Sequence, residues 1–432
     1  MLGPFSELVS SNETPSRYYR SVPLPDPTPE RATPEAGARP SLEMARLILG
    51  HIGLHSAFSG MRMATPLLAL SLGYGTASIG VLMALFAAAQ IAIAMPARRL
   101  VSDRGLKFCL TLCGVSAASG IGLAAAWPAL PALGLGALCC GGAIGLSLIT
   151  LQRHVGQAAA SDAELRRGLS WVSIAPTVSI FIGPLLAGAL IDNAGYQAAF
   201  MALGLLPLGS LVAARLAREL PVAPAPAQVP SSPWSLLRLT NFRRLMLLNW
   251  LMGACWDLHG FMVPVIAHER GMSASSIALL MGAFALAATL SRLAVPAIAS
   301  RMPDWLALAS AVTLAGALTA LYPFLDSLPS MMACSFALGA LLGAVQPLVM
   351  ILIHRVAPEH RQVDAMAVRM MMFNGSGIAM PMVYGAAGLA LTVSEVFHAA
   401  GVVVFLGGGL GIRAVLRLLR EQKEAERALP PV

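Results

Sequence analysis

Five ionisable side chains lie inside two long apolar stretches of this sequence. His51, His55 and Arg62 belong to the first stretch, and Asp257 and His259 belong to a later one. An ionisable group is costly in an apolar environment, so each of these side chains is a candidate for ligand binding or proton transfer. Spacings of four and seven residues place His51, His55 and Arg62 on one face of a helix.

Other polar side chains in apolar stretches extend this set. His55 and His259 are candidates for a proton relay, whereas His51 lies near one end of its stretch, where a histidine is more often a satisfied interfacial group. Gln346 and Asn374 could line a binding cavity. They could equally form hydrogen bonds between helices, and the sequence does not decide between these roles.

The chain contains an internal repeat, which relates these stretches. Shifting the sequence by 198 residues aligns residues 66–89 with residues 264–287 without a gap, and ten of the 24 pairs are identical. Pro184 and Gly188 recur as Pro381 and Gly385 at a shift of 197. A period of this length indicates two similar halves. The repeat aligns Ser59 with Asp257, so Arg62 and Asp257 belong to equivalent helices and differ by less than one turn in depth.

The composition indicates a membrane protein. Hydrophobic residues make up 57% of the chain and charged residues 12%, whereas charged residues make up about a quarter of a soluble domain. The net charge of +8 does not predict a nucleic-acid partner, because the basic residues are scattered singly or in pairs between apolar runs. The six cysteines lie inside those runs and are expected to be small buried hydrophobic groups.

Twelve apolar runs are long enough to cross a bilayer, which takes about 20 residues. Each half of the repeat contributes six. The predicted spans are 46–70, 76–96, 106–127, 132–152, 170–191, 196–216, 245–266, 275–298, 305–325, 330–353, 366–390 and 394–414.

The segments outside these spans complete the predicted domain organisation. Residues 1–42 form a disordered tail, 43–216 the first six-helix half, 217–244 a proline-rich linker, 245–416 the second half and 417–432 a C-terminal tail. All but two of the 29 lysines and arginines fall in or near cytoplasmic segments if both termini are inside the cell, the exceptions being Arg62 and Arg270. Arg153-His154 and His354-Arg355, at matching ends of spans four and ten, are expected to be such cytoplasmic anchors.

The sequence also bears on chemistry through the motifs it lacks. It contains no phosphate-binding Gly-x-x-x-x-Gly-Lys motif, no Cys or His cluster with metal-ligand spacing, and no Ser, His and Asp set on a soluble segment. We therefore expect neither an enzyme nor a bound cofactor or metal. Transport by such a chain would use an ion gradient, with the proton gradient as the hypothesis, or would run downhill.

Two local motifs connect this architecture to a known family. Residues 98–107, between spans two and three, are similar to the Gly-x-Leu-x-Asp-Arg-x-Gly-Arg-Lys motif of the major facilitator superfamily of secondary transporters. Asp103, Arg104 and Gly105 carry this likeness, although Gly105 is one place early when Asp103 is aligned. In the family, this loop joins neighbouring helix ends in one conformation. Alternatively, Asp103 is a solvated loop acid and its basic neighbours are topology anchors.

The second motif lies in the fifth span. Gly183, Pro184 and Gly188 resemble the Gly-Pro-x-x-Gly-Gly element associated with the exchanger branches of that family, with Ala187 in place of one glycine. Proline permits a bend in a helix, and small residues let a neighbouring helix approach closely. Residues 192–197 are then expected to form a short external turn. The whole resemblance covers about residues 43–418.

The resemblance implies an all-α integral membrane fold with twelve transmembrane helices in two pseudo-symmetric halves. Helices one and seven line the central cleft of this fold, so Arg62 and Asp257 are expected to face the substrate pathway, with Asp257 as a proton-binding carboxylate influenced by burial and by Arg62. The alternative is a structural role: Arg62 could bind a carbonyl, and Asp257 could be held by a hydroxyl group.

The expected activity is proton-coupled antiport that exports a small organic compound, either drug-like or an endogenous metabolite such as a siderophore. The first alternative is uptake of an organic anion, with Arg62 as its carboxylate partner. The second is a membrane sensor on a transporter fold, in which Asp257→Asn would leave function intact. The expected setting is a bacterial-type inner membrane, with a monomer whose partners are the bilayer and the substrate.

Overall fold

The structure is a computed structural model that describes residues 42–159, 161–218, 233–299, 303–358 and 361–428. The regular structure of these residues is helical, without a strand. Residues 1–41 of the predicted N-terminal tail and residues 219–232 of the predicted linker lie outside this range. We number twelve helices in chain order: Leu42–Ser71 (α1), 76–104 (α2), 106–126 (α3), Leu130–Ala158 (α4), 162–194 (α5), 196–216 (α6), Thr240–Glu269 (α7), Ala274–Ala299 (α8), Asp304–Leu321 (α9), Leu328–Val356 (α10), Gln362–Ala387 (α11) and Val393–Ala428 (α12).

Two of the predicted connections are bends inside continuous helices. Helices α2 and α3 are two arms of Thr76–Ala126, which changes direction at Gly105 with φ of 75°. Helix α5 continues into α6 through Gly195 with φ of 82°, and α6 is then interrupted between Leu205 and Leu208. Glycine adopts a positive φ readily because it has no Cβ. The external turn predicted at 192–197 is therefore reduced to a bend of one residue.

The described helices are those of a membrane protein. Nine stretches are long and apolar enough to cross a bilayer, and one of them, Ala163–Leu216, contains both α5 and α6. Helices α1 and α11, with 30 and 26 residues, are also long enough to cross. The chain is thus an all-helical integral membrane protein with twelve crossings, as predicted. We call the end of the bundle at which α1 begins the terminal face, and the other end the opposite face.

The internal repeat is visible in the turns at the opposite face. Helix α1 ends before Gly73 (φ 82°), and α7 ends before Gly271 (φ 71°). In each turn the glycine N–H donates to a carbonyl three residues back, and the next N–H donates to a carbonyl five residues back. A glycine in this conformation ends a helix while satisfying its last carbonyl groups. The aligned glycines of the repeat therefore end equivalent helices in the same way.

The two halves meet along three helix pairs: α1 with α7, α2 with α11, and α5 with α8. The last two pairs are equivalent under the repeat. They approach most closely near the opposite face, where Thr76 Oγ1 donates a hydrogen bond of 3.4 Å to the Gly385 carbonyl. Across the other pair, both carboxylate oxygens of Asp192 accept from backbone N–H groups at the start of α8, Ala274 at 2.9 Å and Ser275 at 2.8 Å. These contacts join the halves at the opposite face.

Candidate functional site

Asp257 lies near the middle of α7 and is buried, with 8% of its surface exposed. Its Oδ2 atom accepts a hydrogen bond of 2.8 Å from the hydroxyl group of Ser376 on α11. Gly377, the next residue, places its backbone so near that an added Cβ would be 4.0 Å from Asp257 Oδ1. The carboxylate thus accepts a hydrogen bond from a neutral hydroxyl group and lies beside the backbone of α11.

The N-terminal half contains an equivalent contact without a charge. Ser59 on α1 corresponds to Asp257, and Ser179 on α5 corresponds to Ser376 under the shifts of 198 and 197 residues. Here the Ser59 hydroxyl group donates to the Ser179 carbonyl oxygen at 2.6 Å. The same pair of helices thus meets in both halves, but only the C-terminal half has an ionisable group at the contact. This asymmetry makes Asp257 the distinctive group of the bundle centre.

Arg62 approaches this region from the other half of the repeat. It lies on α1, half-buried, and its guanidinium carbon is 5.8 Å from the centre of the Phe58 ring. A Cβ added to Gly260, its own equivalent on α7, would be 4.0 Å from Arg62 Nη2. Arg62 and Asp257 interact electrostatically, but no ion pair joins them among the described residues. The Arg62 guanidinium therefore lies beside α7 at the level of Gly260.

The two histidines of α1 continue from Arg62 toward the terminal face. His55 packs edge-on against Phe58 with ring centres 5.6 Å apart, and its Nδ1 atom is buried without a hydrogen-bond partner. His51 is buried, and its ring centre is 6.0 Å from that of His55. Its Nδ1 atom is 2.9 Å from the Ser147 hydroxyl group. His51 is thus packed among the helices, with one ring nitrogen within hydrogen-bond distance of a hydroxyl group. Phe58 separates the two histidines from Arg62, so these side chains do not form a continuous hydrogen-bonded path.

His259 lies on the other side of α7 from Asp257. It is buried, its Nε2 atom is 3.1 Å from the Ser335 hydroxyl group, and that hydroxyl group is 2.9 Å from the Tyr322 hydroxyl group. The His259 ring also stacks on Phe284, with centres 4.0 Å apart and an angle of 19° between the planes. These contacts lie within the C-terminal half and place His259 away from Asp257 and Arg62.

A cavity of about 350 Å³ lies between the halves, on the terminal side of Asp257. Helices α5 and α8, which touch at Gly188 and Ala278 and again at Phe181 and Gly282, separate beyond these contacts. The cavity fills the space between them and reaches α4 and α7. Its polar lining comprises Gln152, Ser173, Thr177, Trp256, Thr289 and Arg292, and its remaining lining is apolar.

Trp256 forms an aromatic part of the cavity wall. It is adjacent to Asp257 in sequence, and it packs edge-on against Phe284 with centres 4.8 Å apart. Phe284 is held from its other side by the stacked His259 ring. His259 therefore acts on the cavity indirectly, through the aromatic side chains that hold Trp256.

Two arginines of the C-terminal half form part of this region and were not selected from the sequence. Arg292 on α8 lines the cavity, and Arg369 on α11 donates from Nη2 to Gln346 Oε1 at 3.4 Å. Both lie inside predicted spans, which was the available signal, but their nearness to the span ends made them resemble topology anchors. Gln346 is thus connected to a cation. Asn374 is half-buried on α11.

The loop motif of residues 98–107 lies at the terminal face. Asp103 and Arg104 are exposed, and the Arg104 guanidinium lies 5.1 Å from the centre of the Phe108 ring. Gly105 provides the bend between α2 and α3. Arg153 at the end of α4 donates a hydrogen bond to the Ser102 hydroxyl group. The bend is therefore tied to the neighbouring helix through Ser102.

The glycines of the α5 motif serve two different contacts. A Cβ at Gly183 would lie 2.2 Å from the Ser59 hydroxyl oxygen, so Gly183 allows α5 to pack on α1 within one half. A Cβ at Gly188 would lie 2.6 Å from the Ala274 carbonyl oxygen, so Gly188 allows α5 to pack on α8 of the other half. Pro184 lies inside the helix between them. The motif thus supports packing both within and between the halves.

Comparison with known proteins identifies the family. The family model described as Major Facilitator Superfamily matches residues 47–381 and 245–431. No curated protein matches the sequence.

Solved structures share the fold at low identity. A POT family transporter in complex with 5-aminolevulinic acid has a TM-score of 0.71 and 13% identity, covering 85% of this chain and 94% of that one. A POT family transporter in complex with a thioalcohol-conjugated peptide has a TM-score of 0.69 and 14% identity, covering 88% and 96%. The nucleoside transporter NupG has a TM-score of 0.68 and 15% identity, covering 86% and 98%. At these identities the likeness concerns the fold alone.

Proposed function

The chain belongs to the major facilitator superfamily, and on that premise we propose that it is a proton-coupled secondary transporter that exports a small organic compound by alternating access. The observation that carries this proposal is the place of Asp257. It is a buried carboxylate in α7, next in sequence to the cavity-lining Trp256, and close to Arg62 of the other half. A proton site in the same helix turn as a cavity-lining residue would let ligand binding and proton transfer influence each other.

The surroundings of Asp257 make its charge dependent on conformation. A buried carboxylate with a single hydroxyl partner has only partial compensation for lost hydration, and the distance to a neighbouring cation influences its charge state. Arg62 is on α1, in the half that moves against α7 when the protein alternates between states. A change in the separation of α1 and α7 would therefore change the proton occupancy of Asp257, which links proton transfer to the movement.

The proposed direction is export, from a cytoplasmic terminal face to the opposite face. The Gly183, Pro184 and Gly188 element supports it through its likeness to the exchanger branches of the family. Proton antiport at a plasma membrane would supply the energy, with a drug-like compound or an endogenous metabolite as the substrate. The cavity of about 350 Å³ is suited to a small organic molecule.

Uptake of an organic anion is the second candidate. Its support is that Arg62 forms no ion pair among the described residues, so its guanidinium is available to a carboxylate. The neighbouring folds include transporters bound to 5-aminolevulinic acid and to a conjugated peptide. A sensor without transport remains the candidate of another class, and it differs from both in needing no proton site.

Inverted membrane vesicles test the proposal directly. Vesicles that contain the protein would be energised by respiration, loaded with a pH-sensitive dye, and given lipophilic cations, antibiotics, siderophores and organic acids in turn. Asp257→Asn removes the proton site while keeping the side-chain size. Asp326→Asn is the matched control, because Asp326 has 86% of its side chain exposed at the opposite face.

We expect a substrate-dependent collapse of the proton gradient in the wild type and in Asp326→Asn, and its loss in Asp257→Asn. If the collapse persists in Asp257→Asn, the protein is still an exporter, but Asp257 does not take part in proton coupling. If no compound changes the gradient, export is wrong, and organic acids offered from outside right-side-out vesicles would then separate uptake from sensing.

A further inference from the structure

We infer that the substrate is an organic anion whose negative group binds Arg292 and whose apolar or aromatic part packs on Trp256. This inference rests on the proposed transport function and names the substrate class of its site. It concerns the cavity between α4, α5, α7 and α8, and it assigns the anion to Arg292 rather than to Arg62.

The cavity has an unbalanced charge. Arg292 is the cation in its described lining, and no carboxylate is among the lining side chains. Among the described residues Arg292 has no ion pair. The Arg292 side chain is exposed to this open cavity, so an anion that enters the cavity can form charge-assisted hydrogen bonds with the guanidinium. The remaining polar lining groups, Gln152, Ser173, Thr177 and Thr289, are neutral.

The charges of the bundle interior point the same way. More than two residues inside the predicted spans, the described helices carry Arg62, Arg292 and Arg369 against one acid, Asp257. Arg369 donates a hydrogen bond to the neutral Gln346, and the Nε atom of Arg369 is buried without a hydrogen-bond partner. Ionisable side chains in membrane spans usually pair with one another or mark a substrate pathway. Three cations against one carboxylate therefore favour an anionic substrate over a cationic one.

The depths of these groups determine the order in which an entering ligand reaches them. Arg292 is 18 residues from the start of α8 and Arg369 is 18 residues from the end of α11, so both lie about 27 Å from the opposite face at a rise of about 1.5 Å per residue. Asp257 is 12 residues from the end of α7, which gives about 18 Å. A ligand from the terminal face thus reaches the arginines before it reaches the proton site.

The apolar lining suits the rest of the ligand. Trp256 presents an aromatic surface, and Val172, Pro176, Ile180, Ala285 and Ala288 contribute apolar surface to the same cavity. Trp256 packs on Phe284, which in turn stacks on His259, so the indole ring is positioned before a ligand binds. A molecule with a carboxylate at one end and a ring or branched chain at the other would contact both Arg292 and this apolar lining.

Binding to the purified protein tests this inference without a proton gradient. The probes are three compounds with one carbon skeleton, 3-phenylpropionate, 3-phenylpropionamide and 3-phenylpropylamine, together with the corresponding acid, amide and amine of an indole and of a branched alkyl skeleton. Affinity would be obtained from the ligand-dependent rise of the unfolding midpoint in detergent. Arg292→Gln and Arg292→Lys are the test variants, and Arg215→Gln, at an exposed position at the end of α6, is the control.

We expect the acids to bind and their amides and amines to bind at least tenfold more weakly. Arg292→Gln should lower acid affinity by about 10- to 100-fold, which is the usual effect of losing hydrogen bonds to a charged group. Arg292→Lys should fall between, because lysine keeps the charge and loses the planar fork. Arg215→Gln should bind as the wild type.

The inference is overturned if the amides or amines bind as well as the acids, if no acid binds, or if acid affinity is unchanged in Arg292→Gln. Size-exclusion elution and the unliganded unfolding midpoint would establish that each variant is folded. Repeating the measurement in Asp257→Asn separates the two proposals. Acid binding that persists in Asp257→Asn, together with a proton-gradient collapse that also persists in that variant, would keep the substrate class and reject the proposed role of Asp257 in coupling.

Discussion

Gly188 and Gly385 occupy equivalent positions in the two halves, and each allows a helix of the other half to approach its backbone. A Cβ at Gly188 would be 2.6 Å from the Ala274 carbonyl oxygen, and a Cβ at Gly385 would be 2.8 Å from the Thr76 carbonyl oxygen. Residues 76 and 274 are themselves related by the 198-residue shift. The opposite face is therefore closed by one contact made twice, once by α5 on α8 and once by α11 on α2.

Substituting either glycine should weaken this closure. In Gly188→Ala or Gly385→Ala the added methyl group meets backbone atoms that cannot turn aside, and overpacking of this kind costs about 1–3 kcal/mol, or about 5- to 150-fold in the balance of two states. Spin labels at Leu72 and Phe324, which are exposed at the opposite face on different halves, would report a longer distance. Gly142→Ala is the control, because no atom lies within 4 Å of its added Cβ. An unchanged distance in both glycine variants would show that these contacts do not control closure.

Asp192 supports the same face by a different interaction. Its carboxylate accepts from the Ala274 and Ser275 N–H groups, which are free donors in the first turn of α8. Asp192→Ala should expose these groups at a cost of about 0.5–2 kcal/mol. Hydrogen exchange of a peptide covering residues 270–280 should then become about 2- to 30-fold faster. Glu395→Ala removes an exposed acid of the same face that accepts hydrogen bonds from Thr392 at the start of α12. It should leave exchange of this peptide unchanged, and equal rates in both variants would contradict the capping role.

Gly105 should be required for the bend between α2 and α3. Its φ of 75° is in the left-handed region, where a side chain adds about 1–2 kcal/mol per residue. Gly105→Ala should therefore lower the unfolding midpoint. Gly122→Ala lies in the same continuous helix with no atom within 4 Å of its added Cβ, and should raise stability by about 0.5–1 kcal/mol. A midpoint that rises in both variants would mean that the bend tolerates a side chain.

His259 should affect stability and leave proton coupling intact. His259→Leu removes the stack on Phe284 and the hydrogen bond with Ser335, so we expect a loss of about 1–3 kcal/mol with substrate-dependent proton flux retained in vesicles. Combining it with Ser335→Ala should cost less than the sum of the single changes, because both remove the same hydrogen bond. Loss of proton flux at an unchanged unfolding midpoint would restore His259 as a relay group.

The sequence by itself determined the class, the number of crossings and the twofold repeat. Long apolar runs report bilayer crossing directly, because every backbone polar group in lipid must be satisfied within a helix. The aligned Gly73 and Gly271 end equivalent helices. Bends were harder to predict from the sequence. Gly105 and Gly195 change the direction of the chain without ending the helix, and in the sequence such a glycine looks like part of a loop.

Only the tertiary structure decided which way each side chain points. In a soluble helix the polar face reveals rotation, but here both the lipid side and the core side are apolar, so the sequence pattern does not encode it. Asp257 and His259 are two residues apart, which is about 200° around a helix of 3.6 residues per turn. One consequently binds Ser376 and the other Ser335. Arg292 resembled a topology anchor because it lies near the end of its span, and only the separation of α5 from α8 placed it in the cavity.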